Sequence, residues 1–126
     1  MTSTRAKTFP RQTSAAAAAR QFVKEMAGGH PAADEALLIA GELIANSLVH
    51  ALHATAITIT VAVSQMRTRV DVLDDGTKGF PHMRDTGPDD ESGRGFRIID
   101  EIAQRWGFVR ERAHSCCWAE VAARHA

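Results

Sequence analysis

Glu42, Asn46 and His50 recur at four-residue steps within a stretch of strong helical character, so they share one face of a helix. The Asn carbonyl oxygen is a neutral ligand for a hard cation. The Glu carboxylate can hold such a cation through water or polarise an attacking hydroxyl. Mg²⁺ accepts a few protein oxygens together with phosphates and retained waters, so a sparse ligand set is sufficient. His50, one turn further on, is of a type that more often makes a structural hydrogen bond near a helix end than acts as a base. An isolated Glu and Asn at this spacing is usually a solvated helix face, and this pair gains weight from its company.

Two further clusters supply that company. Asp74 ends the apolar run VDVLD and is followed by Asp75, Gly76 and Gly79 in DDGTKG. An ionised Asp is acceptor-only, so Asp74 can receive a hydrogen bond from an exocyclic amine such as that of adenine. Gly76 and Gly79 let the backbone approach a flat ring; the plainer reading is a β-turn, since Asp-Gly favours one. Asp75 fits either recognition or solvation. Gly93, Arg94 and Gly95, in ESGRG, stand at a helix start, where free N–H groups and the helix dipole favour an anion and the glycines leave room for a phosphate. Arg94 adds a phosphate donor. The segment is neither a Walker A loop, lacking GKS/T, nor a dinucleotide fingerprint.

The elements that must position these residues follow from periodicity. Residues 1–12 read as a flexible basic tail carrying Arg5, Lys7 and Arg11, and residues 13–126 as a single domain. Thr13 or Ser14 can cap a helix through the alanine run to about Met26, stopped by Gly28 and Gly29. After His30-Pro31, Asp34 can cap a long helix to about Leu52. Its expected apolar stripe is Leu37, Leu38, Gly41, Ile44, Ala45, Leu48, Val49 and Leu52. Ile57, Ile59, Val61 and Val63 alternate as a strand, and Arg69–Leu73 forms its hairpin partner. Asp74–Asp90 reads as loop. A third helix spans about Gly95–Gln104, with Phe96, Ile99, Ile102 and Ala103 inward. A second hairpin, Trp106–Arg110 with Cys116–Ala122, closes the chain. The sum is an α+β fold, a two-layer α/β sandwich with helices on one face of a mixed, mostly antiparallel sheet.

Bulk properties bound the function. The 126 residues carry 15 basic and 15 acidic side chains, so nothing implies general attraction to nucleic acid or to an anionic membrane. No apolar run approaches a membrane span, and the start lacks a signal-peptide core, which reads as a cytoplasmic protein. Cys116 and Cys117, the only cysteines, are adjacent and read as buried or half-buried strand residues, with neither a disulfide framework nor metal-ligand spacing.

The three clusters, in this order, resemble the GHKL (Bergerat-type) ATP-binding fold of histidine-kinase catalytic domains, gyrase-type ATPases and anti-sigma-factor kinases. The last branch is the nearest. GELIANSLVHA at Gly41–Ala51 is similar to its helix motif, VDVLDDGTKGFP at Val70–Pro81 to its adenine-side motif, and ESGRGFRIIDEIAQRWG at Glu91–Gly107 to its phosphate-side motif. CCWAEV at Cys116–Val121 resembles its closing strand. The resemblance runs from about Ala17 to Val121. It implies Glu42 as general base, Asn46 as Mg²⁺ ligand, and Asp74 on the adenine amine with Gly76 and Gly79 shaping that pocket. It further implies Gly93, Arg94 and Gly95 along the phosphates, with His50 matching a common histidine of less settled role. The implied activity is phosphotransfer from ATP to a serine or threonine of an antagonist protein, coupled to sequestration of a sigma factor. The other class left open is a protein-binding module without catalysis, ATP-dependent or nucleotide-free; homodimerisation also stays open. Ser47 stands where the family usually has alanine, Thr77 and Lys78 depart from the usual adenine loop, and the lid Phe80–Ser92 carries Asp85, Asp89, Asp90 and Glu91.

Overall fold

The computed structural model describes residues 2–50, 54–75, 91–110 and 114–122. Its elements run β1 (Ser3–Pro10), α1 (Ala15–Ala27), α2 (Ala33–His50), β2 (Ala56–Val63), β3 (Arg67–Asp74), α3 (Glu91–Ile102), β4 (Arg105–Arg110) and β5 (Ser115–Ala122). The strands form one sheet in the order β1-β2-β3-β5-β4. Both expected hairpins are present, β2 with β3 and β4 with β5, and they join through the β3–β5 pairing. Every pairing is antiparallel, so the sheet is not mixed among the described residues.

Strand alternation decides which face the helices cover. Ile57, Ile59 and Val61 of β2 point the same way as Val70 and Val72 of β3 and Cys117, Ala119 and Val121 of β5, and all are buried. The helices contribute Val23, Ile39, Leu43, Ile44 and Ile99 to the same core. Each large side chain withdrawn from water stabilises the fold by about 1.5–3 kcal/mol. The other face carries Thr58, Thr60, Arg69, Asp71, Trp118 and Glu120, and no helix among the described residues covers it.

The reading of residues 1–12 as a flexible tail is corrected by β1, which pairs antiparallel with β2 along its whole length as an edge strand. Its one buried side chain is Phe9, set edge-on to Phe22 at 6.4 Å between ring centroids. Thr8 and Thr58 share a hydroxyl hydrogen bond of 2.9 Å across the open face. Beyond the strand, the Arg11 N–H donates to the Thr55 carbonyl at 3.0 Å and its guanidinium to the Leu48 carbonyl near the end of α2. A cation at that end complements the helix dipole.

Readings of all three helices also shift. Ser14 occupies the position before α1 but makes no side-chain cap, whereas the C-terminal stop is as expected. The Gly28 N–H returns to the Lys24 carbonyl at 2.8 Å and Gly29 takes a φ of 87°, where a side chain would be strained. The buried face of α2 is Ala36, Ile39, Ala40, Leu43, Ile44 and Ser47, while Leu38 and Val49 are 45% and 61% exposed and Ala45 faces out. The expected stripe was therefore rotated about the axis, because α2 is apolar on almost every side. α3 begins at Glu91 rather than near Gly95, so Glu91 and Ser92 belong to the helix and not to a lid. The rest of the expected lid, from Phe80 to Asp90, lies outside the described residues.

Candidate functional site

Glu42 and Asn46 lie half-buried on the same side of α2, flanking the fully buried Leu43 and Ile44. The Asn46 Oδ1 is buried and has no hydrogen-bond partner. Leaving such an acceptor dry and unpaired costs about 1–3 kcal/mol, so the atom calls for an explanation. Other buried atoms share that condition among the described residues: Arg11 Nε, Thr68 Oγ1 and Glu120 Oε1. Arg11 donates through another nitrogen, Glu120 sits 3.6 Å from Arg105, and Thr68 lies at the far end of β3 from Asp74. Asn46 alone among them stands beside other candidate residues. His50 closes α2, its side chain outside the described set.

Asp74 is 5% exposed at the end of β3, between Ile57 of β2 and Ser115 of β5. Its Oδ2 accepts hydrogen bonds from the Ser47 hydroxyl at 3.2 Å and the Ser115 hydroxyl at 3.0 Å. Ser47 follows Asn46 directly, so α2 carries the candidate cation ligand and, on the next residue, a donor to the candidate base-recognising carboxylate. The sequence marks Ser47 only as a residue where the family usually has alanine, and Ser115 is not among its candidates. Ser115 carried a signal, a polar residue in step with buried Cys117, Ala119 and Val121, whereas Ser47 stands on a buried face of α2 that the apolar pattern did not mark.

Asp75, left between recognition and solvation, is a clamp. Its carboxylate accepts from the Thr55 N–H at 2.7 Å, the Thr55 hydroxyl at 2.5 Å and the Ala56 N–H at 3.1 Å, tying the end of β3 to the start of β2. The hydrogen bond from the Thr55 hydroxyl, helped by the backbone N–H groups, holds its pKa below the ordinary carboxylate value. Gly76 and Gly79 lie outside the described residues, as do Thr77 and Lys78.

Gly93, Arg94 and Gly95 sit within the first turns of α3, which packs against α2. Because the helix starts upstream of them, its unpaired first-turn N–H groups belong to Glu91, Ser92 and Gly93. The other end of α3 is fixed by the Trp106 indole N–H donating to Asp100 at 2.9 Å. Among the described residues no three His, Cys, Asp or Glu side chains converge as a metal cluster, so the fit to a cation rests on the Asn46 oxygen.

The open sheet face is organised differently. The Arg69 guanidinium pairs with Asp71 at 2.9 Å, reaches toward Glu120, and stacks 4.2 Å from the centre of the Trp118 ring. Trp118 lies flat across Gly107, where an added Cβ would meet the indole at 2.8 Å. Cys116 and Cys117 are free thiols, half-buried and buried as expected. Burial is the main cause that pushes their pKa values up to about 11 and about 12.

Residues 9–119 match the family model of the histidine kinase-like ATPase domain. The chain belongs to that family. No curated protein matches it at a significant level. For a histidine kinase-like ATPase domain, which is an ATP-binding domain of GHKL type, the α2 pair and the β3 carboxylate lie on the two elements that the sequence motifs marked. No helix among the described residues is long and apolar enough to cross a membrane.

Proposed function

We propose that this domain is an ATP-dependent serine/threonine protein kinase of the anti-sigma-factor type, acting in the cytoplasm on an antagonist protein and controlling a sigma factor. The observation that carries the reading is the buried, unpartnered Asn46 oxygen beside Glu42, on the helix whose next residue holds Asp74. Asn46 would hold Mg²⁺, and the ion when bound offsets charge on the phosphates. Glu42 would take the proton of the acceptor hydroxyl as that oxygen attacks the γ-phosphorus, ADP leaving on the opposite side. Asp74 would accept from the adenine amine, with Gly76 and Gly79 shaping the ring pocket. Gly93, Arg94 and Gly95, with the N-terminal N–H groups of α3, would line the phosphates, and His50 would stand at the edge of the site. The antagonist and the sigma factor are protein partners; neither nucleic acid nor membrane enters this reading.

Calorimetric titration with ATP, with and without Mg²⁺ and with GTP as control, tests the binding half of the proposal. Saturable, Mg²⁺-dependent and adenine-selective binding is expected. Glu42→Ala is expected to keep that binding and to lose transfer to the antagonist in a radiolabelled-phosphate assay. An undiminished transfer rate in that variant overturns the base assignment. ATP binding by the wild type with no transfer to any antagonist favours the binding-module alternative.

A further inference from the structure

We infer that Ser47 is a positioning residue for base selection: with Ser115 it sets the Asp74 carboxylate so that the site takes a purine bearing an amine at the ring carbon where a competing purine bears a carbonyl. The inference rests on the proposed role of Asp74 toward adenine.

The two hydroxyls approach Asp74 from different elements, Ser47 from α2 and Ser115 from β5, and both donate to Oδ2. A serine hydroxyl has one hydrogen, and each is used on the same oxygen. Two donors from separate elements fix the plane of a carboxylate that could otherwise turn about its own bond. Asp74 and both serines are buried, so water does not compete for these bonds. Within a helix a serine hydroxyl more often turns back onto the carbonyl four residues earlier, but here it goes across to the sheet. Alanine is also the better helix former, so serine at position 47 lowers the intrinsic helix preference of α2 for the sake of this contact.

The chemistry of the choice is electrostatic. A fixed carboxylate accepts from the amine of adenine and repels the carbonyl oxygen that guanine offers at the same place. A carboxylate released from one donor can swing away from the carbonyl, so discrimination falls along with ATP affinity. Ser47 also makes α2 a physical link between the base side and Asn46, one residue away.

The test is calorimetric titration of Mg·ATP and Mg·GTP into the wild type, Ser47→Ala and Ser47→Thr, with thermal unfolding of each. Ser47→Ala is expected to weaken ATP by about 3- to 10-fold, the worth of one hydrogen bond, while GTP changes by less than about twofold. The ATP-to-GTP preference then narrows by nearly the whole loss, and Ser47→Thr, which keeps the hydroxyl, restores it. Should threonine's extra methyl disturb the buried site, Ser115→Ala removes the other donor and is expected to narrow the preference likewise. A Ser47→Ala protein with the wild-type preference overturns the inference, whether both affinities stay or fall together as general loosening would make them. Wild-type protein that binds neither nucleotide overturns the proposed function and this inference with it. Wild-type binding with an unaltered preference in Ser47→Ala removes this inference alone.

Discussion

The two faces of the sheet solve the problem of buried polar groups in opposite ways. On the open face, Arg69, Asp71, Arg105 and Glu120 form ion pairs around Trp118, so that even Glu120 Oε1, which accepts no hydrogen bond, has the Arg105 cation 3.6 Å away. Under the helices, the hydroxyls of Ser47 and Ser115 converge on one Asp74 oxygen, and the nearby Asn46 oxygen meets no donor. Ion pairs like those of the open face need no partner beyond the protein, whereas the Asn46 oxygen is an acceptor that the proposed Mg²⁺ would satisfy. The proposed division into scaffold and site rests on that difference.

Substitutions can break this contrast. The largest effect is expected at Asp74: Asp74→Ala should reduce ATP affinity by about 30- to 100-fold, the scale of a hydrogen bond to a charged group, as read by calorimetry. Asn46→Ala should weaken Mg·ATP by about 10-fold and yet leave the ligand-free protein no less stable, because the unpaired acceptor disappears. A clear fall in the ligand-free melting temperature would show that Asn46 is structural. On the opposite face the signs reverse. Gly107→Ala drives a methyl into the Trp118 indole and should cost about 1–3 kcal/mol in denaturant unfolding while sparing ATP affinity.

The smallest effect is expected at Asp75. Its folded pKa is depressed, so its contribution is fully present above the unfolded carboxylate value of about 4 and is lost as pH falls through the lower folded value. Asp75→Asn should therefore flatten the acid side of a stability profile below about pH 4. Because the residue is exposed, solvent screening keeps the change small. An unchanged acid limb would remove the clamp.

Much of this arrangement was legible in the residues, and what was not has physical causes. Both hairpins could be read, because apolar side chains alternate with Thr, Ala or charge along β2, β3 and β5. β1 escaped because an edge strand needs few core side chains, and only Phe9 supplies one. The buried face of α2 escaped because Leu37–Ala40, Leu43–Ala45 and Leu48–Val49 leave scarcely any polar side to mark the solvent. Ser47 and Ser115 escaped for a third reason: they stand 27 and 41 residues from Asp74, and only the closed sheet with its helices makes them neighbours. Glu42, Asn46 and Asp74 could be singled out as candidates because the motifs that hold them are local.

The edge strand β1 also has a consequence for how the chain is made. Its partner β2 lies far downstream, with Thr8 facing Thr58 across 50 residues. At ribosomal rates of 5–20 residues per second, β1 leaves the exit tunnel roughly 3–10 s ahead of β2. During that interval Phe9 has no sheet to join, and the first helix has none to cover. β1 is thus synthesised well before the strand it pairs with, which exposes it to chaperones, proteases and neighbouring nascent chains until β2 follows.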